Sequence, residues 1–206
     1  MITLYHSPFT RSHLIRFALE ELELPHELRR IDVSKGEHKA PAYLALNPLG
    51  QLPTLTDGGV TLCEAAAITL HLADRAAERG LAPAVGSPER APYYHWVVFS
   101  VASELLVLSK IALHARVLPE PLRVPAVESA GRSEWAAVAR ALTLGVQGKQ
   151  FLLGDRFSMA DVLCGGALSL ANVLGVLSPH PELVAYFGRV SDRPAFGRAY
   201  ADAVSS

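Results

Sequence analysis

The sequence predicts an α/β N-terminal domain followed by an all-α C-terminal domain. Three observations carry that prediction. In the first part of the chain, apolar residues recur alternately with strand and helix spacing, in the order β-α-β-α-β-β-α. The segment from Gly80 to Pro92 is rich in Pro, Ala, Gly and Ser, with Pro83, Gly86, Pro88 and Pro92 breaking any regular element. Beyond it strand signals cease and only long helical patterns remain. The expected organisation is a first domain over 1–80, a linker over 81–90 with the boundary near 85, and an all-helical domain over 91–206.

Each element follows from its own pattern. Ile2 to Tyr5 reads as a short strand. Arg11 to Leu22 places Leu14, Ile15, Phe17, Ala18, Leu19 and Leu22 on one helical face. Glu27 to Val33 reads as a second strand, and Lys35 to Leu46 as a polar loop with a short helix. Leu52 to Thr56 and Thr61 to Cys63 form a hairpin around Asp57-Gly58-Gly59, and Glu64 to Arg79 closes the domain as a helix. The second half carries helical patterns over Ala91 to His114, Pro125 to Gln147 and Met159 to Leu174, with shorter ones at Leu183 to Val190 and Pro194 to Val204. Ser158-x-x-Asp161 has the form of a capping box, with Asp in place of the usual Glu or Gln.

Composition narrows the function classes. The 206 residues carry a formal net charge of −1, which gives no footprint for nucleic acid or an anionic membrane. Partners are therefore expected among small molecules and other subunits. No secretory signal is read at Met1-Ile-Thr-Leu-Tyr5, and polar residues interrupt the longest apolar stretches before a bilayer would be spanned, so a cytoplasmic protein is expected. Cys63 and Cys164 lie far apart without CxxC spacing, which argues against a metal site or a disulfide framework; both read as buried small apolar side chains.

The most informative stretch is Asn47-Pro-Leu-Gly-Gln-Leu-Pro-Thr54 followed by Thr61-Leu-Cys-Glu-Ala-Ala-Ala-Ile68. Pro53 cannot donate to a strand ladder, so it marks an edge or a special bend, with a cis peptide at Leu52–Pro53 as one form. The main chain of Leu52 is then free to pair with an extended peptide, and Glu64, at a helix start, is placed to receive an ammonium group. A peptide-sized binding site results.

That block, together with Tyr5-His-Ser-Pro-Phe-Thr-Arg-Ser12, Ala18-Leu-Glu-Glu-Leu22, Lys35-Gly-Glu-His38, Glu64 to Asp74, Gly154 to Asp161 and Asp192-Arg-Pro-Ala-Phe196, resembles the glutathione transferase family over nearly the whole chain. The resemblance implies a thioredoxin-like N-terminal domain, in which a parallel strand pair is extended by an antiparallel hairpin, and an all-α C-terminal domain. It implies a homodimer that uses glutathione and no metal, and a detoxifying reaction: thiolate attack on a hydrophobic electrophile. The free thiol, with a pKa of about 8.5, must be held as thiolate, and a helix N-terminus with a nearby hydroxyl favours the anion.

On this resemblance the catalytic candidates lie at the first helix start: Thr10 first, Ser12 second, with Ser7 and the cation of Arg11, which stands where the bacterial beta class has cysteine. Capping by Thr10 and Ser12 is the competing structural reading. For glutathione, Leu52, beside the bend at Pro53, pairs through its main chain with the cysteinyl part and Glu64 receives the γ-glutamyl ammonium. Ala65 replaces the family's serine, a loss of about 1–2 kcal/mol in binding. Gln51 is placed near the γ-glutamyl end, and His38, Lys35 or Lys39 near the glycyl carboxylate. The electrophile pocket is expected from Phe9, Ser103, Leu106, Val107 and Lys110. Two alternatives stay open: a glutathione-dependent oxidoreductase for disulfides or peroxides, and a non-catalytic interaction protein.

Overall fold

The computed structural model describes residues 1–204, which divide into two compact units, Met1–Ala82 with 193–204, and Pro83–Asp192. In the first unit the strands are β1 (Ile2–His6), β2 (His26–Arg30), β3 (Thr54–Asp57) and β4 (Val60–Cys63), ordered β2-β1-β3-β4. β2 runs parallel to β1, while β3 and β4 add antiparallel neighbours, as the resemblance implied. The helices are α1 (Ser12–Glu21), the short α2 (Pro41–Leu44) and α3 (Ala65–Arg75).

Alternation along β1 assigns its two faces. Ile2, Leu4 and His6 turn to the side of α1, where Leu14, Ile15, Phe17, Ala18 and Leu19 are buried with Leu55, Ile68 and Leu72. Tyr5 turns to the other side and meets Tyr43 edge to face at 5.8 Å, in a small cluster with Ile31, Leu46 and Leu52. β3 begins at Thr54 rather than Leu52, because residues 52–53 belong to the bend and not to the ladder. β2 stops at Arg30, short of the expected Val33, and α3 ends at Arg75, with a 3₁₀ turn over Ala77–Arg79 in place of its expected last turn.

The helix α9 (Pro194–Val204) packs in the first unit, in contrast to the expected all-helical domain over 91–206. Local helical periodicity cannot say which core a face enters. Here Phe196 meets Phe17 edge to face at 5.4 Å, Tyr200 stacks on His13 at 4.9 Å, and Arg193 grips Glu21 through two hydrogen bonds of 2.6 and 2.7 Å.

The second unit is helical: α4 (Arg90–Phe99), α5 (Leu105–Ala112), α6 (Pro125–Val146), α7 (Met159–Val173) and α8 (Pro181–Ser191). The expected helix from Ala91 to His114 runs from Arg90 to Val117 and contains π turns at Ser100–Glu104 and Leu113–Val117. By length and composition this run is apolar enough to cross a bilayer. In this fold it is a packed element, with Tyr93, Val97, Leu105, Leu108 and Ile111 buried. Ser100 and Glu104 are buried too, and burial pushes the Glu104 carboxyl well above its ordinary range, which keeps it neutral. Cys164 is buried as expected, while Cys63 is half-buried.

The capping box at α7 forms as the sequence suggests and reaches further. Asp161 Oδ2 accepts Ser158 N–H at 2.9 Å and Ser158 Oγ–H at 2.8 Å, while Oδ1 accepts Leu152 N–H and the Tyr186 hydroxyl, both at 2.9 Å. One buried carboxylate thus ties a loop and α8 to the start of α7. Asp161→Ala strands two buried amides and two hydroxyls, and is expected to lower the unfolding free energy by about 3 kcal/mol or more, read from urea denaturation.

Candidate functional site

The strand register gathers the candidate residues. Tyr5 pairs with Thr54 and Thr54 with Cys63, so the end of β1, the start of β3 and the end of β4 lie together. The segments leaving that end are Ser7–Arg11, the bend at Leu52–Pro53, and Glu64 with the start of α3. Two helices, α1 and α3, open their N-termini there, which is the usual place for a ligand outside the carboxyl ends of strands.

The bend is held from behind. Leu52–Pro53 is a cis peptide, and among the described residues the main-chain N–H and C=O of Leu52 make no hydrogen bond. The Leu52 side chain sinks into the Tyr5, Ile31 and Tyr43 cluster. Tyr43 donates its hydroxyl to Gln51 C=O at 2.7 Å and meets Thr54 Oγ1 at 2.8 Å; Asn47 Nδ2 donates to the same carbonyl at 2.8 Å. Gly50, at φ +57°, lies so close to the His38 carbonyl that a Cβ would sit 2.6 Å from it. Sequence reasoning passed over Tyr43 and Thr54, whose roles depend on folding back across the bend.

Glu64 occupies the N-cap position of α3 with φ +70°, a region non-glycine residues enter rarely and mostly at functional sites. Its side chain is exposed, makes no cap hydrogen bond, and lies within electrostatic range of Arg11. Ala65 is buried; the N–H groups of 65–67 precede the first intrahelical bond, from Ile68 N–H to Glu64 C=O at 3.0 Å. Burial lowers the pKa of Arg11, and the carboxylate of Glu64 opposes that shift.

At the start of α1, Arg11 is the N-cap residue and supplies no side-chain cap. Thr10 Oγ1 accepts Ser12 N–H at 3.3 Å, donates to Ser7 C=O at 2.8 Å and meets Ser12 Oγ at 2.6 Å. Thr10 is half-buried, whereas Ser12 is 0% exposed and lies 2.8 Å from His6 Nδ1. Ser7 is buried and contributes its main chain, its N–H donating to Ser12 Oγ at 3.3 Å. Behind them, His6 Nε2 and His13 Nε2 lie 2.9 and 3.1 Å from the two oxygens of Asp202, which Arg16 and Arg30 also approach at 3.1 and 3.3 Å. These two imidazoles and the carboxylate have the donor types of a metal site, but the two guanidiniums on the same carboxylate already supply its positive charge. Neither His6 nor Asp202 was singled out from sequence; nothing local announces a contact across 196 positions.

The remaining candidates are placed less directly. Lys39 Nζ donates to the carbonyls of Leu49 and Gly50 at 2.9 and 3.0 Å, so its charge serves the loop. Lys35 pairs with Asp32 at 3.1 Å in an exposed position, Gln51 is exposed, and His38 is half-buried with no hydrogen-bond partner for Nδ1 among the described residues. Phe9 is 72% exposed with φ +59°. In the second unit Leu106 is exposed and Ser103 half-buried. Val107 turns inward and Lys110 is bound to Glu134, so neither offers much free surface.

Comparisons with known proteins find relatives for both parts of the chain. The glutathione S-transferase N-terminal domain matches residues 1–74 and the glutathione S-transferase C-terminal domain residues 126–194. A curated relative, the disulfide-bond oxidoreductase YfcG of Escherichia coli, is 27% identical over 97% of this chain and 94% of its own. Among solved structures, the ternary complex of BphK, a bacterial GST, is 30% identical with a TM-score of 0.87, covering 98% of this chain and 99% of that one. The glutathione transferase URE2P6 of Phanerochaete chrysosporium, in complex with oxidized glutathione, is 25% identical with a TM-score of 0.89, over 99% and 96%.

Tyr43→Phe removes the hydroxyl that Gln51 and Thr54 share. It is expected to cost about 1–2 kcal/mol and to speed amide exchange selectively over residues 47–54, measured by hydrogen–deuterium exchange.

Proposed function

The chain belongs to the glutathione S-transferase family, and on that premise we propose that it conjugates the glutathione thiolate to hydrophobic electrophiles. The observation that carries the reading is the convergence, at one end of the sheet, of an unpaired Leu52 main chain beside cis-Pro53, an exposed carboxylate on Glu64, and two helix N-termini. Those groups match an extended γ-glutamyl tripeptide: Leu52 pairs with its cysteinyl main chain and Glu64 meets its ammonium. The N–H groups of 65–67 receive the γ-glutamyl carboxylate without the hydroxyl that a serine at 65 would add.

The thiol then lies toward the start of α1. The helix N-terminus favours the thiolate, and Thr10, the half-buried hydroxyl of that segment, donates a hydrogen bond to it. Arg11 adds positive charge nearby. His38 or Lys35 is left for the glycyl carboxylate, because Lys39 is engaged with its own loop. For the electrophile, the exposed Leu106 and the half-buried Ser103 of the second unit are the proposed contacts. The enzyme is proposed to act in the cytoplasm as a homodimer.

The likeness to a disulfide-bond oxidoreductase favours a second reading, glutathione-dependent reduction of disulfides. Arg11 occupies the helix start where a reactive cysteine would stand, so the redox sulfur in that reaction is glutathione's own. Turnover measured in parallel on halogenated aromatics and on a mixed-disulfide substrate separates the two.

Calorimetry tests the shared site first. Glu64→Ala is expected to weaken glutathione binding at least about tenfold, and Ala65→Ser to tighten it by about 5–30-fold, the range that one added hydrogen bond to a charged group supplies. No binding by the native chain overturns the reading. Thr10→Ala is expected to lower kcat by about 10–100-fold with little change in the glutathione Kd, read from steady-state kinetics.

A further inference from the structure

Four polar side chains form one unbroken line from the half-buried Thr10 into the protein. Thr10 Oγ1 lies 2.6 Å from Ser12 Oγ, Ser12 Oγ 2.8 Å from His6 Nδ1, and His6 Nε2 2.9 Å from Asp202 Oδ2. Ser12 and His6 are both 0% exposed, so the line joins a buried imidazole to the half-buried Thr10 hydroxyl. We propose that His6 is the resident base for the glutathione thiol, reached through Thr10 and Ser12, and that Asp202 on the last helix is its positioning residue. The inference rests on the transferase reading above.

The direction of each hydrogen bond follows from Asp202. Burial pushes its carboxyl up, but hydrogen bonds and charge from His6 and His13 outweigh that and hold it at about 2. It is therefore ionised and only accepts. His6 Nε2 must carry the proton facing it, which leaves Nδ1 as the acceptor for Ser12 O–H. The Thr10 O–H has two acceptors in reach, the Ser7 carbonyl at 2.8 Å and Ser12 Oγ at 2.6 Å, and turning from the first to the second completes the line. Burial lowers the His6 pKa, against the pull of Asp202, and so favours the neutral imidazole.

A thiol arriving at Thr10 reverses the chain. The S–H bond breaks and its proton passes to Thr10 Oγ1; the Thr10 proton passes to Ser12, and the Ser12 proton to His6 Nδ1. The products are a thiolate and an imidazolium, with no net change in charge. His6 Nδ1–H now donates to Ser12, Ser12 O–H to Thr10, and Thr10 O–H to the sulfur, so the proton transfer itself aims the hydroxyl at the anion. The imidazolium is stabilised by the Asp202 carboxylate, as a paired carboxylate stabilises a catalytic histidine elsewhere. When the thiolate attacks carbon and the leaving group departs as an anion, His6 releases its proton to solvent along the same path.

The charges around His6 come from three elements. α1 supplies His13, whose ring meets it edge to face at 4.8 Å, and Arg16; β2 supplies Arg30; α9 supplies Asp202. His13, Arg16 and Arg30 all bind the same carboxylate, so they share Asp202 and oppose a proton on His6, and the pair is poised rather than permanently charged.

The test is the pH titration of the thiolate absorbance of bound glutathione in the native chain, Ser12→Ala, Ser12→Thr and Asp202→Asn, with the glutathione Kd measured alongside. Ser12→Ala cuts the line while leaving His6, Asp202 and the docking of α9 intact. The expected result is a midpoint about one unit higher, hence roughly tenfold less thiolate at a given pH below it, in Ser12→Ala and Asp202→Asn, with Kd unchanged and the native midpoint restored by Ser12→Thr. An unshifted midpoint in Ser12→Ala, with glutathione still bound, overturns this inference and leaves the transferase reading standing. Absence of glutathione binding by the native chain overturns both.

Discussion

The register between β1 and β3 is the constraint on which the site depends. Because Tyr5 faces Thr54 and Thr54 faces Cys63, three segments far apart in sequence leave the sheet at one end and in fixed order. A slip of one residue would turn His6 away from α1 and Tyr5 away from Tyr43, since successive side chains alternate faces. That slip is opposed on both faces at once, by the buried Ile2 and Leu4 on the side of α1 and by the Tyr5–Tyr43 contact on the other. The same packing that stabilises the first unit therefore positions its polar loops.

Around that end the chain spends conformational strain and polar contacts where a ligand would use them. Glu64 accepts a positive φ and leaves its carboxylate exposed, while the opening amides of α3 remain unbonded within the helix. The bend at Leu52–Pro53 keeps its own main chain free because Tyr43, Asn47 and Lys39 bind the carbonyls just before it. The loop is thus rigid without using the groups that face outward, which is the arrangement preorganised binding needs.

Asp202 and Asp161 show one device in two settings. Each is a carboxylate that gathers donors from separate segments: His6, His13, Arg16 and Arg30 for Asp202, and Leu152, Ser158 and Tyr186 for Asp161. Asp161 takes neutral donors and closes a helix start. Asp202 takes charged and titratable ones, which makes its neighbourhood responsive to protons. Through Asp202 and the Arg193–Glu21 pair, α9 becomes part of the first unit.

Much of this was legible in the residues themselves. The Pro53 bend, the hairpin after it, the acidic helix start at Glu64, the capping box at Ser158 and the change from mixed to helical structure all follow from local chemistry: a missing N–H, a turn dipeptide, a cap, a change of period. The glutathione transferase resemblance was carried by the same short blocks, and it implied the sheet topology. What required the tertiary structure is what depends on distance in sequence. Ser12 and Thr10 are both hydroxyl candidates at a helix start, with Thr10 ranked first, but it is burial against His6 that separates their surroundings. The periodicity of 194–204 specified an amphipathic helix but not the core that receives it, and Lys39 showed no sign of binding its own loop. Local sequence determines backbone preference and which side chains carry charge; which donor meets which acceptor is decided only when packing brings remote segments within hydrogen-bond range.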